Sequence, residues 1–275
     1  MKNYGFVEPV ILPEDYTFGT AGQIPDEVLV PGGQWDIYIP EKEIQDVNNV
    51  ETYNCTGFGA SNQIETFLRR RYGGTWNYSD RAIGIAAGTS ERGNNPQTVY
   101  ETIRKVSCMV PQRLLPFSND IKTIEQFYAP KPLPKSIIRE GDQWLNEHHF
   151  KHDYVGLPSN PATSDMLMEA LKRSPLCVAV YAWAKGSDGL YKRLGRDGHW
   201  TMLFGYEKDT YWKIYDSYDD DIKHLAWNFG FYYVKRIWIK KKDQNEQNEG
   251  RYSSAFEELW RRLADVFARL WPRNG

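Results

Sequence analysis

A cysteine stands directly before a stretch with the pattern of a long helix, and this pairing constrains the chain more than any other feature. In "CTGFGASNQIETFLRRRYGG", apolar residues recur at about helical spacing at Phe58, Ile64, Phe67 and Leu68. Three arginines follow them, and two glycines end the pattern. The sequence therefore predicts a helix that begins at Cys55, with its thiol at the positive end of the helix dipole.

The thiol of Cys55 has two interpretations on this stretch alone. It is either a small buried core residue or a nucleophile whose thiolate form the helix dipole stabilises. The other two cysteines, Cys108 and Cys177, lie in runs that read as a core helix and a core strand. Three scattered cysteines are too few for a disulfide framework or a thiolate metal site, and no glycine-rich phosphate loop is present. We therefore predict neither a metal ion nor a cofactor, and the odd cysteine count fits a reducing compartment.

Composition narrows the class of protein further. The 275 residues are 41% apolar and include ten tryptophans, which is enough for a sizeable core. The formal net charge of −2, with both signs interspersed, gives no reason to expect nucleic acid as a partner. No run approaches the roughly eighteen apolar residues of a membrane span, and the first residues lack the apolar core of a signal peptide. We expect neither a membrane span nor a secretory signal.

The order of the elements predicts an α+β fold. Helical patterns dominate the first part of the chain, and residues 118–165, with prolines at 130, 132 and 134, are predicted to be irregular. His148 and His152 in that stretch are interpreted as a polar helix face rather than as zinc ligands. A helix from about Ser164 then leads into four strand patterns, "LCVAVYAWA", "GHWTMLFGYE", "YWKIYDSYD" and "FYYVKRIWIKK". Helices followed by antiparallel strands indicate two facing subdomains with a site between them.

Composition also divides the chain into four segments. Residues 1–40 are predicted to be an extended arm, 41–239 the main domain, 240–251 a polar linker, and 252–275 an amphipathic helix. The apolar stripe of that last helix must be covered by the main domain, by a partner protein or by a membrane interface. Because the helix is only slightly cationic, the membrane is the least favoured of the three.

Two further residues complete a possible catalytic set. A cysteine nucleophile needs a base to take its proton and a third group to orient that base. His199 begins one apolar strand pattern, and Asp216 ends the next one. If these strands pair as an antiparallel hairpin, His199 and Asp216 lie near each other at its open end. Asp216 would then hold the imidazole towards Cys55 and favour a thiolate–imidazolium pair.

Together these residues resemble the papain-like cysteine peptidases, in the divergent group found in bacteriophages and other microbes. "GHWTMLFGY" resembles the family's histidine with its following strand and Gly-Tyr, and "IYDSYDD" resembles its Asn-Ser-Trp stretch. His199 follows Cys55 by 144 residues (199 − 55), within the roughly 130–150 residues that separate the two in papain-like enzymes. The resemblance extends over residues 25–239 and includes "EVLVPGGQWDIYIPEKEIQ" and "NYSDRAIGIAAGT".

The resemblance implies a helical subdomain whose nucleophile helix faces an antiparallel β subdomain, and a peptidase that cleaves amide bonds through a thioester at Cys55. His199 would act as base and then as acid, and Asp216 takes the place of the orienting asparagine. The family's oxyanion-hole glutamine precedes the cysteine by six residues, where this chain has Asn49. We predict that Gln45, which lies ten residues before Cys55 and is followed by a loop insertion, serves the oxyanion hole, with Asn49 as the alternative.

The same resemblance implies a peptide or protein substrate and a virion or host-cytoplasm location, with the C-terminal helix as a docking element. No inhibitory propeptide of the usual length precedes Cys55, so we expect control by compartment, partner or the short arm. Two alternatives stay open. One is a catalytically silent virion component that kept the fold, and the other is a different thiol enzyme, such as a cell-wall amidase or a transglutaminase.

Overall fold

The helix predicted at Cys55 is the centre of the structure. The computed structural model describes residues 5–11, 25–181, 184–219, 221–243 and 245–246. Helix α1 (Cys55–Tyr72) begins at the predicted residue, and every side chain from Cys55 to Leu68 is buried. A helix buried on all sides must be covered by other elements on each face, and here the sheet covers one face and two shorter helices cover the other. Among the described residues, no helix is long and apolar enough to cross a membrane.

The remaining helices belong mainly to the first half of the chain. They are α2 (Asp80–Ala86), α3 (Pro96–Lys105), α4 (Ile124–Phe127), α5 (Lys135–Glu147) and α6 (Ser164–Leu171). Ser79, Asn95, Thr123 and Thr163 each cap the helix that follows by accepting a backbone hydrogen bond. These sequence-encoded caps fix the points at which the helical layer turns around α1.

In the described part of the chain, eight strands form one sheet in the order β1-β8-β2-β5-β6-β7-β4-β3. The strands are β1 (His148–Gly156), β2 (Leu176–Tyr181), β3 (Ala184–Lys185), β4 (Tyr191–Lys192), β5 (Asp197–Glu207), β6 (Tyr211–Tyr215), β7 (Ile222–Ala226) and β8 (Val234–Lys241). All pairs are antiparallel except β4 with β7. The predicted α+β fold is confirmed. The predicted helix at 252–275 and half of the 240–251 linker lie outside the described residues, as does part of the 1–40 arm.

The prediction of irregular structure over 118–165 is wrong, because α5 and the long strand β1 lie within it. His148 and His152 therefore share one face of a strand rather than of a helix. The strand was hard to recognise because its polar residues are buried by specific partners. Asp153 forms a buried two-point ion pair with Arg236 of β8, at 2.7 and 2.8 Å.

The β5–β6 hairpin predicted from the strand patterns is present. Met202 pairs with Tyr215, so the next residue, Asp216, comes level with Thr201. Side chains alternate along a strand, which places His199, two residues from Thr201, on the same face of β5. The Thr201 hydroxyl donates to the Tyr215 carbonyl at 2.7 Å and holds this end of the hairpin together. The register alone therefore brings His199 and Asp216 to the open end of the hairpin.

The start of α1 is fixed by the side chain of Asn54, which lies between two glycines. Its amide donates to the Asp80 carbonyl of α2 at 2.9 Å. A Cβ atom at Gly57 would lie 2.6 Å from the Asn54 side chain, and one at Gly84 would lie 2.7 Å from it. Both positions must therefore lack a side chain for α1 and α2 to meet at the residue before Cys55.

We expect Gly84→Ala to lower the free energy of unfolding by about 1–3 kcal/mol, the usual cost of overpacking a buried site. This cost outweighs the roughly 0.5–1 kcal/mol that alanine otherwise gains over glycine in a helix. Gly32→Ala is the matched control, since a Cβ atom there would have no neighbour within 4 Å. The test is to measure the free energy of unfolding of both variants by denaturant titration. Equal stability of Gly84→Ala and the parent chain would contradict the close packing of α1 on α2.

Candidate active site

Cys55 is the first residue of α1, and its side chain is fully buried. The backbone N–H groups of Trp200 and Thr56 lie near its sulfur and lower the pKa of the thiol, against the larger effect of burial. Burial raises the pKa of the Cys55 thiol well above its ordinary value, and the negative charges of Glu51 and Asp216 add to the rise. Burial therefore favours the neutral form of this thiol, which lies in a closed site beside the residue that follows His199.

His199 and Asp216 form the hydrogen bond that the hairpin register predicts. His199 Nε2 donates to Asp216 Oδ1 at 2.7 Å, and both side chains have no exposed surface. The ring of Tyr218 lies across the imidazole, with ring centroids 5.1 Å apart and planes tilted by 59°. Because Trp200 contacts the Cys55 sulfur, the structure brings Cys55, His199 and Asp216 together in one buried cluster.

Sequence reasoning missed a cation in this cluster. Lys223 of β7 is buried, and its ammonium donates to Asp216 Oδ2 and, at 2.5 Å, to Asp219 Oδ2. Burial alone would raise the pKa of Asp216, but the charges and hydrogen bonds of His199 and Lys223 outweigh it and lower the pKa to about 2. The available signal was a lysine on the strand pattern that directly follows the acidic run "SYDDD".

The two oxyanion-hole candidates occupy different environments. Gln45 is fully buried and accepts a hydrogen bond from the Ser217 hydroxyl at 2.9 Å, directly beside Asp216. Its backbone N–H also donates to the Ser217 carbonyl at 2.7 Å. Asn49 is exposed and ends a short 3-10 turn (Val47–Asn49), where its backbone N–H donates to Asp46. The structure thus brings Gln45 to the cluster and leaves Asn49 on an exposed loop.

Glu51 and Tyr218 were also missed, and they engage the side-chain donors of Gln45. Gln45 Nε2 donates to the Tyr218 hydroxyl at 2.8 Å and to Glu51 Oε1 at 3.2 Å. The Tyr218 hydroxyl in turn donates to the Glu51 carboxylate, at 2.7 and 2.8 Å from its two oxygens. Burial and the charge of Glu51 raise the pKa of Tyr218 far above its ordinary value, so the hydroxyl remains a donor. No sequence motif signals this contact, because Glu51 and Tyr218 are 167 residues apart.

The N-terminal segment Gly5–Val7 lies beside the cluster. Gly5 and Val7 pair in parallel with Asn94: the Asn94 N–H donates to the Gly5 carbonyl at 2.8 Å, and the Val7 N–H donates to the Asn94 carbonyl at 3.0 Å. The Phe6 ring is buried and stacks on Trp200 at a centroid distance of 5.9 Å with planes 5° apart. This segment therefore packs on the side chain of Trp200, the residue whose backbone N–H lies near the Cys55 sulfur.

Other features of the described residues do not join the cluster. Cys108 and Cys177 are free and buried in the core, and the Cys177 thiol donates to the Gly59 carbonyl at 3.0 Å. A cavity of about 510 Å³ lies between α3, α5 and β1, and none of the candidate residues lines it. In the described part of the chain, no group of three or more His, Cys, Asp or Glu residues is arranged to hold a metal ion.

The comparison with solved structures identifies the fold. No protein-family model and no curated protein matches the sequence. Solved structures do match: a digestive procathepsin L2 proteinase from the larval midgut of Tenebrio molitor superposes with a TM-score of 0.58 at 12% identity, over 88% of this chain and 78% of that one. Procathepsin L 3 of the same insect gives 0.53 at 13% identity, over 86% and 76%. The proform of the ragweed pollen cysteine protease Amb a 11 gives 0.52 at 13% identity, over 80% and 68%. The chain therefore has the α+β fold of the papain-like cysteine proteases.

Proposed function

We propose that this chain is a papain-like cysteine peptidase that hydrolyses peptide bonds through a thioester at Cys55. The observation that carries the proposal is the buried His199–Asp216 hydrogen bond next to a cysteine at the first position of a central helix. Each residue alone has an ordinary structural explanation. Their convergence from three separate elements, within a papain-like fold, is what a nucleophile, a base and an orienting group require.

The chemistry assigned to each residue follows from its position. Asp216 accepts the proton on His199 Nε2 in a hydrogen bond, which orients the ring so that Nδ1 exchanges a proton with the Cys55 sulfur. The thiolate attacks the substrate carbonyl carbon, and His199 returns the proton to the leaving amine as the C–N bond breaks. Water, activated by His199, then hydrolyses the thioester, which releases the carboxylic acid and restores the thiol.

Gln45 is the proposed side-chain donor to the oxyanion, with the backbone N–H of Cys55 as the second donor. Its position beside Ser217 supports the assignment, but its amide protons are engaged by Glu51 and Tyr218. A substrate carbonyl oxygen must therefore displace at least one of these two contacts. This exchange is favourable only while negative charge develops on the oxygen, which is when stabilisation accelerates the reaction.

The structure represents a closed form of the proposed enzyme. Cys55, His199 and Asp216 are all fully buried, and burial keeps the thiol neutral. Substrate can reach Cys55 only after a covering segment moves. Gly5–Val7 is the proposed segment, because Phe6 stacks on the residue whose N–H contacts the nucleophile.

The proposed setting is a bacteriophage or a microbe that carries one, with a virion protein, a host protein or a cell-wall peptide as substrate. It rests on the sequence resemblance over residues 25–239. The rival is a silent virion component docked through the C-terminal segment 252–275. Two features favour the rival: the orienting residue Asp216 is charged, and the Gln45 amide already donates a hydrogen bond within the protein. The intact His199–Asp216 hydrogen bond favours an active enzyme.

We expect His199→Ala to lower kcat/KM for hydrolysis of an unfolded protein, fluorescently labelled casein, by about 10²–10⁴-fold, the usual contribution of general acid–base catalysis. Cys55→Ala should reduce hydrolysis to background. His224→Ala is the matched control: it removes a histidine of the same sheet that stacks on Tyr211, and it should retain parental activity. Equal activity of His199→Ala and His224→Ala, at equal stability, would remove His199 from the mechanism.

We expect Phe6→Ala to increase the rate at which iodoacetamide alkylates Cys55 by about ten- to a hundredfold. Burial of a phenylalanine ring contributes roughly 1.5–3 kcal/mol, and each 1.4 kcal/mol changes an equilibrium tenfold. Val10→Ala is the control, because Val10 is 79% exposed.

Cys108 and Cys177 serve as internal reporters of global unfolding, since both are fully buried in the same chain. Their alkylation should stay slow in Phe6→Ala while that of Cys55 rises. Parallel acceleration at all three cysteines, or no acceleration at Cys55, would show that Gly5–Val7 does not control access.

A further inference from the structure

We propose that Lys223 is a positioning residue of this site. Its positive charge balances the negative charge of Asp216, so that the Asp216–Lys223 pair orients the His199 imidazole while carrying no net charge. The inference rests on the proposed function and deepens it. The resemblance to papain-like peptidases implies an uncharged asparagine at this position, and this chain has a carboxylate there. A lysine seven residues later compensates for that difference.

The geometry divides Asp216 between two partners. Its Oδ1 accepts from His199 Nε2 at 2.7 Å, and its Oδ2 accepts from the Lys223 ammonium. Both ends of the Lys223–Asp216 ion pair are buried, with side-chain exposures of 2% and 0%. A buried charge is costly unless it is paired, so neither side chain is well accommodated without the other. Asp219, whose side chain is 47% exposed, is the second acceptor of the Lys223 ammonium.

The ion pair has a direct consequence for the proton on His199. A lone buried carboxylate would stabilise the imidazolium and make it a weaker acid towards the leaving amine. Lys223 opposes that effect because its positive charge lies on the far oxygen of the same carboxylate. The two side chains together thus orient the imidazole as an amide would, without fixing a charge on it.

Other ionisable groups also act on this cluster, and they come from every element packed around it. The ionisable groups joined to the His199 cluster by hydrogen bonds or electrostatic interactions are Asp216, Tyr218, Glu51, Cys55, Lys223 and Asp219. Tyr218 remains protonated because burial and Glu51 raise its pKa, and the Cys55 thiol is neutral in the closed form. Within this set, the Lys223 ammonium is the cation that contacts Asp216.

The test is an NMR titration of the imidazole of His199, assigned by the loss of its signals in His199→Gln. The full chain is titrated as parent, Lys223→Met, Lys223→Arg, Asp216→Asn and the double variant Asp216→Asn/Lys223→Met. We expect the titration midpoint to rise by about one to two pH units in Lys223→Met, the range for loss of one charge at close distance. Lys223→Arg keeps the charge, so its midpoint should stay at the parental pH.

The double variant makes the test independent of whether Lys223→Met folds. Asp216→Asn removes the negative charge between Lys223 and His199 while the Lys223 ammonium stays, so the His199 midpoint should fall below that of the parent. Removal of Lys223 as well should bring the midpoint back towards the parental pH. If Asp216→Asn and the double variant titrate alike, Lys223 has no electrostatic influence on His199 and the inference is overturned. An unchanged midpoint in a folded Lys223→Met variant overturns it equally.

Failure of this inference is distinguishable from failure of the proposed function. The titration follows the imidazole itself and needs no turnover, so its outcome does not depend on peptidase activity. Absence of hydrolysis in the parent chain would count against the proposed function while the midpoints still report on Lys223. If the parent chain hydrolyses substrate but the His199 titration midpoint is the same in the parent and in every Lys223 variant, the proposed function stands and the inference about Lys223 fails.

Discussion

The packing of the first turn of α1 against β5 is the constraint on which the rest of the structure depends. It places the Cys55 sulfur on the Trp200 N–H, one residue from His199. Gly59 permits the approach, because a Cβ atom there would lie 2.8 Å from the Trp200 ring. Asn54, held between Gly57 and Gly84, fixes the same helix end from the other side. The helical layer and the sheet thus meet at the candidate nucleophile, so we expect small changes in this packing to affect chemistry as well as stability.

Charge in the closed site is arranged around a carboxylate that contacts two donors. Asp216 meets His199 on one oxygen and Lys223 on the other, while Glu51 accepts from Tyr218 and Gln45. Burial opposes thiolate formation at Cys55 and raises the pKa of its thiol, and the negative charges of Glu51 and Asp216 add to this effect. Burial therefore favours the neutral form of this site, and the proposed movement of Gly5–Val7 would have to admit water before the thiolate–imidazolium pair can form.

Local patterns predicted much of this arrangement, and long-range contacts supplied the rest. The helix at Cys55 and the β5–β6 hairpin followed from periodicity, and strand alternation then placed His199 near Asp216. The role of Lys223 was not predictable in this way, because a buried lysine resembles an exposed one until its partner is known. The strand β1 was missed because charged residues occupy some of its buried positions, where ion pairs such as Asp153 with Arg236 stabilise them. Residues of the C-terminal segment fall outside the described part of the chain, so their predicted helix stays a prediction.

The pH dependence of Cys55 alkylation tests the central claim most directly, because it needs no knowledge of the substrate. Iodoacetamide reactivity is measured at each pH in Phe6→Ala, which we expect to open the site, and in Phe6→Ala/His199→Ala. The account predicts fast labelling of Cys55 well below about pH 8.5, the range of an ordinary thiol, and its loss when His199 is removed. An ordinary thiol profile in both variants would contradict a thiolate–imidazolium pair and leave a papain-like fold without cysteine peptidase chemistry.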